Sequence, residues 1–383
     1  MEGDYVMASQ DQLEARQLKK LNALLPEGTT LESLADMTQL PVTRKDALAQ
    51  AQSKNPPFGA VIPKNVAAIY QSPGPIYEPG GAGPDWWRMG RFLKAIGFGA
   101  GDIAQNTFAY HFTPAGAMFE SGARDLGVAV FPAGPGNTRQ QAEVAATIGT
   151  TAYVGTPDYL AVILAKGDEL GLDLSTIKRA AVTAGPLFPS QRQAYEDRGI
   201  MCRQCYGTAD VGLIAYETAN SIDGMVIDDD VIVEIVSPGT GRPVADGEIG
   251  EVIVTVLNPD YPLLRFSVGD LSAIMPDSSP RRIVGWRGRA DQAAKVKGMF
   301  IRPEQVASLV AQHPEIDRAR VEITHDGTKD IVAIKVEADT SDTDKIAASA
   351  AEILKLRTHI IVVAKGDLPR DGVVIDDQRP VEA

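Results

Sequence analysis

Residues 201–217 read MCRQCYGTADVGLIAYE. At their centre Tyr206-Gly207-Thr208-Ala209-Asp210 follows a short apolar run and brings together an aromatic ring, a glycine, a hydroxyl and a carboxylate. That mix suits a nucleotide: a ring to stack on a base, a backbone that permits close approach, and an anion able to hold Mg²⁺ beside phosphate. The same residues also make an ordinary strand-end turn, so the flanking chain has to decide. Upstream, β-like segments at residues 106–110, 128–131, 152–154, 180–183 and around Cys202 are separated by helical ones at 115–126, 139–148, 157–170 and 189–198. Strands separated in this way imply a parallel sheet with crossover connections. Ligands of such sheets sit beyond the carboxyl ends of the strands. The rule gathers Tyr110-His111-Phe112, Gly155-Thr156-Pro157, Ala184-Gly185-Pro186 and Tyr206-Gly207-Thr208 into one rim. His111 is the exception, since a lone histidine is more often a structural residue than a site residue.

The bulk properties exclude several classes. A chain of 383 residues has room for two or three domains, and apolar and charged fractions of 44% and 23% are those of a globular protein. A net charge of -13 argues against a nucleic-acid backbone as partner, because that binding needs lysine and arginine to neutralise phosphates. No apolar run is long enough to span a membrane, and the polar, acidic start does not read as a signal peptide. The two cysteines, Cys202 and Cys205, form a CxxC with no second pair to complete a zinc site. On a strand, residues three apart point to opposite faces, so the expectation is two reduced thiols in a core and a cytoplasmic protein.

The ends of the chain have their own character. Leucines at 13, 18, 21, 24 and 25 predict an amphipathic helix, a second is expected at 31–37, and Thr43 is a candidate cap for a third. Residues 67–70 feed the Gly/Pro-rich stretch QSPGPIYEPGGAGP, with a helix expected at 85–96, the layout of a phosphate-cradling loop. Its prolines offer no N–H, it holds no lysine, and Glu78 would repel a triphosphate. After Glu217 come short alternating strands at 231–236, 250–257 and 263–266, a β-rich subdomain. A small module follows, with helices at 305–312 and 344–356 and strands at 318–324, 331–337 and 360–363, and the linker is placed at Asp291.

In order along the chain, LPVTRKDAL, YGTADVGLIAYE, RFSVGDL, GRADQAAKVKGMFIRPEQV and GDLPRDGVVIDDQRP resemble motifs of the adenylate-forming (AMP-binding) enzymes, specifically their phenylacetate–CoA ligase branch. The resemblance implies an α/β fold: a large domain, residues 1–290, with parallel α/β sheets and a β-rich part, and a small mobile α+β domain, 291–383. It implies a ligase that uses ATP and Mg²⁺ to convert a carboxylic acid to acyl-AMP, then passes the acyl group to CoA. Tyr206 and Gly207 would meet adenine, Thr208 the α-phosphate, and Ser72 and Gly74 the phosphates. Asp210 would bind Mg²⁺ where the family usually has glutamate, Asp270 would hold the ribose hydroxyls and Arg289 would steady ribose or phosphate. Tyr110, His111, Phe112, Ala184, Gly185 and Pro186 would line the acyl pocket, with the small residues leaving room for a flat ring. Lys295, Lys297 and Gly298 would serve CoA, Asp291 would be the hinge, and a homodimer is expected for this branch.

The sequence departs from the family at two places. The family's phosphate loop is rich in serine, threonine and glycine and ends with lysine, whereas here it reads QSPGPIYEP, and the segment from Leu368 to Asp376 lacks the lysine that follows the Leu-Pro-Arg stretch. Such a lysine supplies a few kcal/mol of transition-state stabilisation, so its loss slows adenylation unless Lys365, Lys295 or Lys297 replaces it. Three readings stay open: an aryl-CoA ligase, an acyltransferase that moves a preformed acyl group between CoA, AMP and a thiol or carrier protein, and a non-catalytic binding protein.

Overall fold

A capping box starts the first helix, α1 (Gln10–Asn22). The Ser9 hydroxyl accepts from the Gln12 N–H, and the Gln12 side chain accepts from the Ser9 N–H. The helix therefore begins ahead of the leucine pattern, where two otherwise unpaired donors are satisfied. In this computed structural model the described residues are 9–72, 75–236, 241–290, 294–296, 299–325, 329–339, 342–369 and 374–379. The second expected helix is a 3-10 turn, Leu34–Gln39. Thr43 does not cap α2 (Lys45–Lys54), which has Arg44 at its N-cap. Its backbone is spent elsewhere: Thr43 N–H donates to Arg265 O at 2.9 Å and Thr43 O accepts from Ser267 N–H at 2.9 Å.

The expected strand–loop–helix after residue 67 is instead a hairpin. Strand β1 (Val66–Ser72) pairs antiparallel with β2 (Ile76–Gly81), in a register that sets Ser72 opposite Ile76. The helix behind it, α3 (Met89–Ala95), starts later than 85 because Asp85 and Arg88 take φ of 44° and 65°. The Asp85 carboxylate accepts from the Gly90 N–H at 2.9 Å, fixing that entry.

The chain then alternates as its periodicity predicts: β3 (Ile103–Asn106), α4 (Ala115–Asp125), β4 (Ala129–Pro132), α5 (Thr138–Ile148), β5 (Ala152–Gly155), α6 (Pro157–Leu170), β6 (Arg179–Val182), α7 (Pro189–Asp197) and β7 (Met201–Thr208). Strand β3 ends at Asn106, whereas 106–110 was the expected strand. The buried Asn106 side chain is the reason: it accepts from Phe108 N–H at 3.2 Å and donates to Gly116 O at 2.8 Å, turning the chain into a loop. Next come β8 (Gly212–Thr218), β9 (Ser221–Ile227), β10 (Val231–Val236), β11 (Gly250–Val256), β12 (Leu263–Ser272) and β13 (Arg282–Ile283). An eight-stranded sheet runs β13-β9-β8-β7-β6-β5-β3-β4, parallel from β7 to β4 and antiparallel from β7 to β13. Strands β10, β11 and β12 form a second sheet.

Cys202 packs with Ala142, Tyr153, Leu160 and Tyr195, and Cys205 with Phe92, Phe119 and Leu213, on opposite faces of β7. Burial pushes both thiols up to about 12, so neither is a ready nucleophile. Beside Cys202, Arg192 forms a two-pronged pair with Glu217, at 2.7 and 3.0 Å, and Glu217 also accepts from the Gln204 N–H at 2.9 Å. Both side chains are almost fully enclosed. Arg192→Met should lower the unfolding free energy by about 3–5 kcal/mol, because Glu217 is left as a buried charge without its partner. Urea titration of the variant checks this, and a shift under about 1 kcal/mol would refute it.

The chain divides into two compact units, Met1–Val268 with Ala273–Gly285, and Gly269–Ser272 with Trp286–Ala383. The second holds the short pair β14 (Ala294–Val296) and β15 (Met299–Ile301), then α8 (Pro303–Gln312), β16 (Ile316–His325), β17 (Asp330–Ala338), α9 (Thr343–Leu354), β18 (His359–Val363) and β19 (Ile375–Asp377). Its main sheet runs β18-β17-β16-β19, with β16 and β17 antiparallel and both outer strands parallel to their neighbours. Val321, Ile323, Ile334 and Val336 pack under Leu309, Ile346 and Leu354 to make its core.

Candidate active site

The parallel strands deliver their carboxyl ends side by side, β7 next to β6, β6 next to β5 and β5 next to β3. The loop after β3 carries Tyr110, His111 and Phe112. Asn106 donates to the Tyr110 hydroxyl at 2.9 Å, and Phe112 O accepts from the Gln71 N–H at 2.8 Å, which ties this loop to the hairpin. Phe112 is 72% exposed and takes a φ of 59°, so its ring is held out of the core. His111 is exposed beside it, with an edge contact between the rings at 6.3 Å. After β6, Ala184 takes a φ of 61° and Gly185 lies against Pro157. Thr183, just before, anchors the turn by donating its hydroxyl to Cys205 O at 2.9 Å. Pro186 is exposed on the same turn.

At the end of β7, Tyr206 is buried among Val211, Ile214 and Phe266. Gly207 is required by the sheet itself, since a Cβ there would lie 2.6 Å from Gly212 O. The Thr208 hydroxyl accepts from the Val211 N–H at 3.4 Å, closing the turn that presents Asp210. The Asp210 side chain is 2% exposed, and its Oδ2 accepts from the Lys45 ammonium at 2.9 Å. Lys45 reaches it because Thr43 is bridged to β12 and Arg44 pairs with Glu251 at 2.8 Å, so the start of α2 is pinned on both sides. The Oδ1 of Asp210 is buried with no hydrogen-bond partner.

On the hairpin, Ser72 is buried and its hydroxyl donates to Glu78 Oε1, while Glu78 Oε2 has no partner. Burial pushes the Glu78 carboxyl up to about 7. The Ser72 hydroxyl pulls it back, and the Asp210 charge pushes it further. Glu78 is thus not the fixed negative charge that its sequence position suggests.

In the second unit, Asp270 is 5% exposed. Trp286 Nε1 and Arg289 Nη1 each donate to its Oδ1 at 3.1 Å. The backbone clamps the same place: Leu271 N–H donates to Gly288 O at 2.8 Å and Ala290 N–H to Gly269 O at 2.7 Å. Gly269, at a φ of 76°, lets Arg289 pass where a Cβ would lie 2.7 Å from its Nη2. Lys295 is exposed and its ammonium sits 5.9 Å from the centre of the Phe300 ring. Lys365 pairs with Asp317 at 2.8 Å. Gly74, Asp291, Lys297 and Gly298 lie outside the described residues.

Sequence reasoning passed over Lys45 and Trp286, and read Glu78 only as a charge that would repel a triphosphate. The segment holding Lys45 reads as a packing region, and only the third dimension sets it against Asp210. The donors here suit Mg²⁺, a hard ion that takes one or two carboxylates and leaves its other positions to phosphate and water. A buried, unpartnered carboxylate oxygen on Asp210 is such a donor.

No family model matches the chain. Among curated proteins it is 30% identical over 367 residues to the phenylacetate-coenzyme A ligase of Aromatoleum evansii, covering 86% of this chain and 82% of that one. It is 26% identical over 383 residues to the phenylacetate-coenzyme A ligase of Escherichia coli, covering 92% and 87%. Among solved structures, an open conformation of 2-hydroxyisobutyryl-CoA ligase in complex with 2-HIB-AMP and CoA superposes with a TM-score of 0.73 at 21% identity, over 95% of this chain and 87% of that one. That structural likeness shows the fold of an adenylate-forming enzyme, and the sequence identity across most of both chains shows the family. The chain belongs to the phenylacetate–CoA ligase family of AMP-forming acyl-CoA ligases.

Proposed function

We propose that this chain activates a small aromatic carboxylic acid with ATP and transfers it to the thiol of CoA. In the first step a carboxylate oxygen attacks the α-phosphorus of ATP, forming acyl-AMP and expelling pyrophosphate. In the second the thiol sulfur attacks the acyl carbon, forming the thioester and expelling AMP. On this reading Tyr206 and Gly207 face adenine, Thr208 the α-phosphate, and Asp270, steadied by Arg289, the ribose hydroxyls. Tyr110, Phe112 and the small residues Ala184 and Gly185 border the acyl group. Asp210 would hold Mg²⁺, which when bound offsets the charge of the phosphates. A cytoplasmic homodimer, with Asp291 as hinge and Lys295, Lys297 and Gly298 serving CoA, belongs to the same reading on resemblance alone.

The observation that carries adenylation is the Lys45–Asp210 pair. The phosphate loop and the C-terminal segment both lack the expected lysine. An ammonium nevertheless stands within hydrogen-bond reach of the carboxylate at the metal position, where a polyphosphate needs positive charge. Pyrophosphate release with ATP, Mg²⁺, CoA and a panel of aromatic acids tests the proposal. Release that depends on one acid is expected. Failure with every acid, while acyl-AMP or acyl-CoA is still consumed when a thiol acceptor is supplied, would overturn it in favour of the acyltransferase.

A further inference from the structure

We propose that Arg88 is the positioning residue of the nucleotide-binding turn, its guanidinium fixing the backbone that carries Thr208 and Asp210. The inference rests on the reading of that turn as the nucleotide site. Strands β7 and β8 pair as Cys205 with Tyr216 and Tyr206 with Ala215, but the register then slips, so that Gly207 faces Leu213 and Ile214 has no opposite residue. A bulge of this kind breaks the ladder and re-aims the chain beyond it. Between the bulge and the turn lie just two pairs, Gly207 with Leu213 and Thr208 with Gly212.

A single arginine supplies what the ladder lacks. Arg88 Nη2 donates to Val211 O at 2.6 Å and to Leu213 O at 3.0 Å. Leu213 N–H donates to Trp87 O at 3.0 Å, so both backbone groups of Leu213 are taken by residues 87 and 88. Gly212 lies too close for any side chain, since a Cβ there would sit 2.8 Å from Trp87 O. The hold passes directly to the site. Val211 accepts from Arg88 through its carbonyl and donates through its N–H to the Thr208 hydroxyl, at 3.4 Å, and Asp210 is the residue just before it.

Arg88 is itself held in one place. Its side chain is 10% exposed, and its Nε donates to Asp228 Oδ1 at 3.1 Å. The Asp228 side chain is fully enclosed. Its Oδ2 accepts from Arg91 Nη1 at 3.0 Å, and the Asp228 N–H donates to the O of the bulged Ile214 at 2.9 Å. Arg88 and Asp228 thus bracket the bulge. A planar guanidinium can address two carbonyls and a carboxylate at once, which an ammonium cannot do in the same fixed geometry. Arg88 also stands at a φ of 65°, a left-handed conformation that a non-glycine residue keeps when its surroundings impose it, and that gathers at functional sites. A side chain needed only for packing would be apolar here and would avoid the cost of burying a charge.

Binding of ATP with Mg²⁺ by the full chain, followed by calorimetry, tests this in the unaltered protein and in Arg88→Ala. The expected result is a loss of about 10–100-fold in affinity, as for other residues that orient a ligand-holding group. Free guanidinium at about 20 mM, far below the molar range in which it denatures, should fill the vacated place and restore most of that affinity. Sodium chloride at the same ionic strength should not. A merely structural arginine predicts the opposite, because guanidinium then only weakens the fold. Hydrogen exchange gives the local counterpart: in Arg88→Ala the amides of residues 206–213 should exchange faster, those of α6 should not, and guanidinium should slow the former again. ATP affinity within about twofold of the unaltered protein, or a loss that guanidinium does not restore, overturns the proposal while leaving the turn as the nucleotide site. Absence of ATP binding by the unaltered protein overturns that reading of the turn, and the proposal with it. Should Arg88→Ala fail to fold, Arg88→Met combined with Asp228→Asn removes both buried charges and carries the same expected loss, and unchanged affinity there overturns the proposal.

Discussion

Asp270→Ala should cut kcat/KM for ATP in pyrophosphate release by about 10²-fold or more, with the folded state retained. The carboxylate is nearly buried and does not wander: Trp286 and Arg289 both donate to Oδ1, and a short antiparallel ladder holds Gly269 and Leu271 against Gly288 and Ala290. A hydrogen bond to a charged acceptor contributes about 1.5–3 kcal/mol. Two bonds from the ribose hydroxyls to a carboxylate fixed in advance are therefore worth about 3 kcal/mol or more, which sets the size of the loss. Because those bonds are present in the ground state as well, most of the loss should appear in KM. Asp270→Asn keeps the shape and one acceptor, and should lose about tenfold. Thermal unfolding of both variants separates a folding defect from a binding defect. An unchanged kcat/KM in the alanine variant would remove Asp270 from the nucleotide site.

The sequence revealed most where local pattern and tertiary structure agree. Residues 115–125, 138–148, 157–170 and 189–197 are helices because their apolar spacing buries one face, and the strands between them are short apolar runs with nowhere to go but a sheet core. The same logic separated Cys202 from Cys205. It failed at the hairpin. A short β-like run entering a Gly/Pro stretch has the same local signature whether the next segment pairs back or forms a helix, and only the register, with Gln71 opposite Tyr77, distinguishes them. Glu78 was misread for a related reason: as a loop residue it would be an exposed anion, but in β2 it is enclosed and its charge depends on Ser72, Asp210 and Lys45. Trp286 gave no signal because its role is a single N–H aimed at a residue sixteen positions away.

Lys45 is the sharpest case, and its removal the more informative experiment. Lys45→Met should lower the rate of acyl-AMP formation by about 10²–10³-fold, measured as acid-dependent pyrophosphate release at saturating ATP. The ammonium lies 2.9 Å from Asp210 on a helix start pinned by Thr43 and Arg44, so little reorganisation is needed when phosphate charge arrives. A fixed cation in an enclosed site acts most strongly on charge that develops during reaction, so the loss should fall on kcat more than on KM. Lys45→Arg keeps the charge with a different shape and should recover part of the rate. The structural contribution is smaller: with the lysine about a third exposed, solvent screening leaves about 1–2 kcal/mol of stability at stake. A variant that loses stability by that amount but keeps its kcat would show that the pair merely holds α2 in place. The cation that replaces the family's lysine would then have to lie elsewhere. Thioester formation from supplied acyl-AMP is the internal control. The thiol attacks an acyl group whose pyrophosphate has already left, so this step should be nearly indifferent to Lys45. A half-reaction split of that kind is something a purely structural lysine cannot produce.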